Sequence, residues 1–325
     1  MNAVLAPFAL SFGGLAEVGF WSGVGVLAGI YTLLALGLQI NVGYTGILNF
    51  GQAGFMAIGA YAMAVLVIDV RLPFLLAVAG AIAIAVAFAL VIGMSSLRLR
   101  ADYFSIATLA AAEAIRMVAQ NASGLTGGNQ GLYGFDAAWA DASRTIEDWL
   151  AAIGIGSAGG LLPLLIVVWV VALLAILALR YLQRSPWGRV LRAIREDEDA
   201  ARALGKNALS FRLQSLAIAA TLGALAGVFL ALNLSFVNPQ AFEPQASFIG
   251  FAVLILGGLA SYGGVAFGAL IMWTLLEATR FIDLPLEDGQ IASLRFILVG
   301  LLLIGLMAFR PQGVFGKREE MVLGD

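Results

Sequence analysis

The sequence predicts an all-α, polytopic membrane helix bundle with broken, glycine-rich helices and one amphipathic cytoplasmic helix. Three observations carry that expectation. Apolar runs of ~20 residues, enough to cross a hydrocarbon core, recur along the chain, whereas strand-like alternation does not. Of the 325 residues, 61% are hydrophobic and 12% charged, where a soluble domain has about half and a quarter. Finally, the apolar region at residues 21–68 is interrupted by glycines and amides rather than by a charged loop. A single membrane domain covering residues 1–325 with about 8–10 spans is expected, counting broken helices. Cysteine and histidine are both absent, which removes disulfides, thiolate chemistry, the commonest metal ligand and the usual proton relay. Nothing in the sequence suggests a cofactor or a nucleic-acid partner; the surrounding medium is lipid.

Taken in order, residues 1–20 carry one charge, Glu17, and lack the basic n-region of a cleaved signal peptide. Spans are expected at 21–40, 53–68, 74–94, 104–119, 161–182, 211–234 and 294–309. The fourth is unusual in carrying Glu113 and Arg116. Residues 120–160 form a connection rich in Gly and Ala, with Trp139, Trp149 and Thr126-Gly127-Gly128-Asn129-Gln130-Gly131. Residues 248–279 are too long for one upright span. Their Gly257-Gly258-Leu259-Ala260-Ser261-Tyr262-Gly263-Gly264 run predicts two short helices meeting at a tight turn.

The most informative stretch is 38–55. It holds Gly43, Gly46, Gly51 and Gly54 together with Asn41, Thr45, Asn49 and Gln52, flanked by Phe50 and Phe55. Lipid offers no hydrogen-bond partners, so backbone freed by such a glycine density must lie inside protein or beside a watery cavity. Broken helices of this kind line substrate routes in transporters. The alternative is an ordinary short loop, which normally carries more charge.

Charge placement orients the bundle. Of the 18 Lys and Arg, eight lie within 180–212: Arg180, Arg184, Arg189, Arg192, Arg195, Arg202, Lys206 and Arg212. With Arg98, Arg100, Arg310, Lys317 and Arg318 they mark the cytoplasmic side. The acidic 120–160 connection falls outside, and the tail 310–325 inside. Within the polar segment 183–209, Ser185-Pro186 reads as a helix start and Gly205 as its stop. Val190, Leu191, Ile194, Ala201 and Leu204 share one face of a single amphipathic helix between them.

Asp199-Ala200-Ala201-x-x-x-Gly205 matches, with Asp for Glu, the E-A-A-x-x-x-G pattern of ABC importer permeases. Further separated motifs are Gly43-Tyr44-Thr45-Gly46 with Phe50-Gly51-Gln52-Ala53, Leu97-Arg98-Leu99-Arg100-Ala101-Asp102-Tyr103-Phe104, Trp187-Gly188-Arg189 with Ile194-Arg195-Glu196, Gly257-Gly258, and Arg310-Pro311-Gln312-Gly313. In these motifs the chain resembles LivM-type permeases of branched-chain amino acid ABC importers. The resemblance implies a multi-pass protein of the bacterial inner membrane that forms half of a translocation pathway. Its implied partners are separate ATPase subunits, a second, LivH-type permease and a soluble substrate-binding protein. Similar permeases carry urea or short-chain amides.

The resemblance assigns ATPase coupling to Gly188, Arg189, Arg192, Glu196, Asp199, Ala200, Ala201 and Gly205. It makes Asn41, Thr45, Asn49, Phe50, Gln52 and Phe55 candidates for the substrate pathway, with Asn49 and Gln52 facing it or, alternatively, gluing helices together. Gly43, Gly46, Gly51, Gly54, Gly257, Gly258, Gly263 and Gly264 are the candidates for gating or tight packing. No G-x-x-x-x-G-K-[ST] run is present, so no ATP hydrolysis is expected of this chain. An ion-coupled carrier would need buried carboxylates. Glu113 and Glu277 are the candidates, each equally readable as a structural partner of the Arg one turn away, Arg116 or Arg280.

Overall fold

The computed structural model describes residues 18–96, 101–152, 160–259, 261–279, 288–310 and 313–316. Arg98, Arg100, Ala260, Arg280, Pro311, Gln312, Lys317 and Arg318 lie outside the described residues, as does the segment before Val18. Helix α1 (Val18–Leu38) continues into a π-helical stretch, Gln39–Tyr44, and α2 (Gln52–Ile68) follows a seven-residue break. Next come α3 (Phe74–Ser96), α4 (Ala101–Asn121), the single turn α5 (Ser123–Thr126) and α6 (Ala137–Ala152). Then α7 (Leu162–Arg184), α8 (Pro186–Glu196), α9 (Glu198–Ala203) and α10 (Ala208–Leu234) run in succession. The chain closes with α11 (Pro244–Gly257), α12 (Tyr262–Ala278) and α13 (Asp288–Phe309).

The expectation of an all-α membrane bundle holds. Among the described residues, four helices are long and apolar enough to cross a membrane, or five if α11 and α12, bent by 118°, make one span. Helix α2 and residues 297–309 are apolar but shorter, and α4, where a span was expected over 104–119, is long enough but does not qualify as one, its length carrying Asp102, Glu113 and Arg116. The paired short helices over 248–279 are present, with Gly258 at φ +104° between them.

Helices α1 and α10 are central and largely buried, whereas α3 and α7 keep broad exposed apolar faces. Helix α3 presents Ala77, Ala81, Ala85 and Ala89, all fully buried, at intervals of four. That spacing puts small side chains on one stripe and lets helices approach closely. The α2–α10 contact uses the same device, since a Cβ on Gly59 would strike the Ala224 backbone and one on Gly227 the Met56 carbonyl.

Two segments depart from expectation. The 120–160 connection contains α6 and a two-residue strand, Leu132–Tyr133, paired antiparallel with Phe236–Val237. The single amphipathic helix expected over 186–205 is two, α8 and α9. Asp197 separates them in extended backbone, its Oδ1 accepting from the N–H groups of Asp199 and Ala200 at 2.9 Å each. An aspartate that caps the next helix in this way competes with continuing the previous one.

Candidate translocation and coupling site

The break between α1 and α2 is cross-braced by three other helices. Thr45 Oγ1 donates to the Asn41 carbonyl at 2.6 Å, and Ile47 N donates to the same oxygen at 2.9 Å. From α10, Ser215 Oγ lies 3.0 Å from Asn41 Oδ1 and 3.3 Å from the Ile40 carbonyl. From α4, Thr108 Oγ1 accepts from Phe50 N at 3.2 Å, and from the start of α11, Ser247 Oγ accepts from Ala53 N at 2.8 Å. Backbone groups that a continuous helix would have paired internally are thus satisfied by hydroxyls from distant parts of the chain.

The two amides make a local relay. Asn49 Oδ1 accepts from Gly51 N at 2.9 Å, Asn49 Nδ2 donates to Gln52 Oε1 at 3.2 Å, and Gln52 Nε2 donates to the Ala219 carbonyl at 2.8 Å. Both side chains are completely buried. In the isolated chain these bonds tie the break to α10. Thr45 is buried too, and Phe55 packs in a cluster with Ile47, Phe104 and Leu216. Asn41 is buried with its Nδ2 lacking a hydrogen-bond partner.

The surface of the break is supplied by other residues. Gly46 and Leu48 are exposed, and half-buried Phe50 packs against exposed Phe248 at 5.5 Å and against Phe251 at 4.8 Å between ring centroids. Among the glycines, Gly51 abuts the Thr108 carbonyl and Gly54 abuts Ala112. Gly43 packs beside Gln39. Gly257 and Gly264 face each other backbone to backbone, whereas Gly263 has open space around its Cα.

The coupling candidates divide into two faces. Gly188 and Ala201 point inward: a Cβ on Gly188 would meet the Gln183 backbone, and Ala201 packs with Ile194 and Ala208. Arg189, Arg192, Glu196, Asp199, Ala200 and Gly205 are exposed, as is Leu204, expected on one apolar face with Leu191 and Ile194, which are buried. Gly205, at φ +76°, ends α9 with its N–H donating to the Arg202 carbonyl at 2.9 Å. Glu198 ties the pair of helices down, bonding Arg202 at 2.5 Å and, on α10, Arg212 at 2.7 Å. Trp187 Nε1 adds a bond to Gln214 Oε1 at 2.6 Å.

On α4, Glu113 and Arg116 form a two-bond pair, at 2.5 Å and 2.9 Å. Glu277 is buried near the end of α12, and Arg280 lies outside the described residues.

The profile of the family described as "Branched-chain amino acid transport system / permease component" matches residues 21–307. The chain belongs to that permease family. The LivM protein of the high-affinity branched-chain amino acid transport system of Escherichia coli K12 is 31% identical over 96% of this chain and 72% of its own length. A probable LivM of Methanocaldococcus jannaschii is 26% identical over 89% of this chain and 91% of its own. The LivH permease of E. coli K12 is 28% identical over 90% and 93%. No solved structure matches the chain. Within this permease family, sequence reasoning missed the residues that brace the break, Thr108, Ser215 and Ser247. Serines and threonines inside apolar helices are the one signal they leave, because each needs a partner there.

Proposed function

We propose that this chain is one of two permease subunits of an importer for branched-chain amino acids, driven by separate ATPase subunits and fed by an external binding protein. The observation that carries this reading is the family match across residues 21–307, from the first span to the last. The substrate's zwitterionic head needs a few polar contacts and its aliphatic side chain a smooth apolar wall. The partly exposed Phe50–Phe248 surface beside Leu48 supports the second role, and backbone at the break with the spare Asn41 Nδ2 supports the first. Weak contacts suffice, since a pathway that bound tightly would release slowly. The exposed residues of α8 and α9 form the ATPase-facing surface of the coupling segment 183–209.

Reconstitution of the chain with a LivH-type permease, ATPase subunits and binding protein of its own organism into proteoliposomes tests this directly. Uptake of radiolabelled leucine is expected, dependent on internal ATP and displaced by excess isoleucine and valine. Uptake displaced by urea or acetamide and indifferent to valine would overturn the substrate assignment.

A further inference from the structure

We propose that Arg195 is the positioning residue that links the coupling hairpin to the break in the first membrane helix. The inference rests on the importer reading above and adds the mechanical connection within it. Arg195 sits in the last turn of α8, and its Nη1 donates to the carbonyl of Gly43, in the last turn of the π-helical stretch. The last carbonyls of any helix lack intrahelical donors and carry partial negative charge, so a guanidinium there is a favourable cap. A second contact comes from the other side of the break. A Cβ built on Gly46 would lie 3.2 Å from Arg195 Cγ and 3.9 Å from its Cβ, so the arginine stem lies directly over Gly46. Gly46 adopts φ +67°, the conformation that turns the chain out of the helix. Arg195 therefore touches both the carbonyl that ends the first helix and the residue at which it breaks. On the same helix Arg189, Arg192 and Glu196 are exposed. Displacement of α8 by a docked ATPase would pull on this cap, and the hydroxyl bracing from Ser215 and Thr108 would have to yield in response. Arg195 thus converts movement of the hairpin into movement of the pathway wall.

Because the chain has no cysteine, a disulfide is a clean probe. Position 46 and Arg195 Cβ lie 3.9 Å apart, within the range that disulfides bridge. The double variant Gly46→Cys/Arg195→Cys is oxidised in the assembled, reconstituted transporter. The expected result is cross-linking with the ATPase subunits still bound and leucine uptake above that of the reduced double variant, because the disulfide replaces the tie that loss of the guanidinium removes. Failure to cross-link, or uptake that oxidation lowers or leaves unchanged relative to the reduced double variant, would overturn the proposal. A second variant, Arg195→Met, keeps the stem and removes the cap. Its uptake should fall on the order of tenfold, as for loss of one charge-assisted hydrogen bond, with ATP hydrolysis maintained, and Arg195→Lys should recover part of it. Equal loss of uptake and hydrolysis, loss of ATPase binding, or no loss at all would contradict the linking role. Absence of leucine uptake by the unaltered transporter would instead count against the importer reading itself.

Discussion

Gln52 occupies a notch that only small neighbours leave open. A Cβ on Gly37 would collide with its Nε2, and one on Gly223 would lie 3.0 Å from both Nε2 and the Phe55 Cβ. Gly223→Val should therefore lower stability by ~1–3 kcal/mol through overpacking. Gln52→Leu should cost a similar ~1–3 kcal/mol by stranding Asn49 Nδ2 in a buried site. Thermal unfolding of the purified protein in detergent checks both, and an unchanged midpoint for each would show that the amide relay adds nothing. Glu113 and Arg116 pose a different question, whether a membrane carboxylate couples ions or holds a partner. Their bidentate geometry and partial burial, 30% and 18% exposed, favour the partner role. In a double-mutant cycle, Glu113→Ala/Arg116→Ala should retain more uptake than either single change, because each single change leaves a charge unpaired in a low-dielectric site. A double mutant as inactive as Glu113→Ala alone would point to a carboxylate that acts in its own right.

At the scale of elements, the glycine turn between α11 and α12 separates essential glycines from a dispensable one. Gly258 combines φ +104° with a backbone approach from Gly313, and the chain after α13 bonds the end of α11 through Val314 N to Leu256 O at 3.0 Å and Phe315 N to Gly257 O at 3.2 Å. Gly258→Leu should cost ~3 kcal/mol or more in stability from strain and collision, whereas Gly263→Ala should be near neutral. Similar expression and detergent stability of the two variants would show that the turn tolerates side chains throughout. The coupling hairpin allows an equally sharp test at Leu204, which is 80% exposed in the isolated chain. Leu204→Asp should leave the bundle folded yet cost ~3 kcal/mol on docking, where the new charge is buried without a partner. The readout is ATPase co-purification, and full retention would move the docking surface elsewhere. Ala201→Glu is a poorer probe, because Ala201 packs inside the chain itself.

For the molecule as a whole, the spans, the first break and the re-entrant turn were legible because long apolar runs and dense glycine are local signals. The split of α8 from α9 was not. Asp197 stands among charged neighbours on a solvated face, where a capping aspartate looks like any other, and the kink it introduces turned Leu204 outward. Nor could residues 41–55 be sorted into buried and exposed. Once the helix breaks at Gly46 the 3.6-residue period no longer applies, and the deciding partners, Thr108, Ser215 and Ser247, lie far away in sequence. The structure hides Asn49 and Gln52 and leaves Leu48 and Phe50 on the surface of the break. Cysteine accessibility across the break therefore tests the account most directly. In the reconstituted transporter, Leu48→Cys and Phe50→Cys should react with a small water-soluble thiol reagent at rates that change on ATP binding. Asn49→Cys and Gln52→Cys should stay protected. Labelling at 49 and 52 with none at 48 and 50 in any nucleotide state would contradict it.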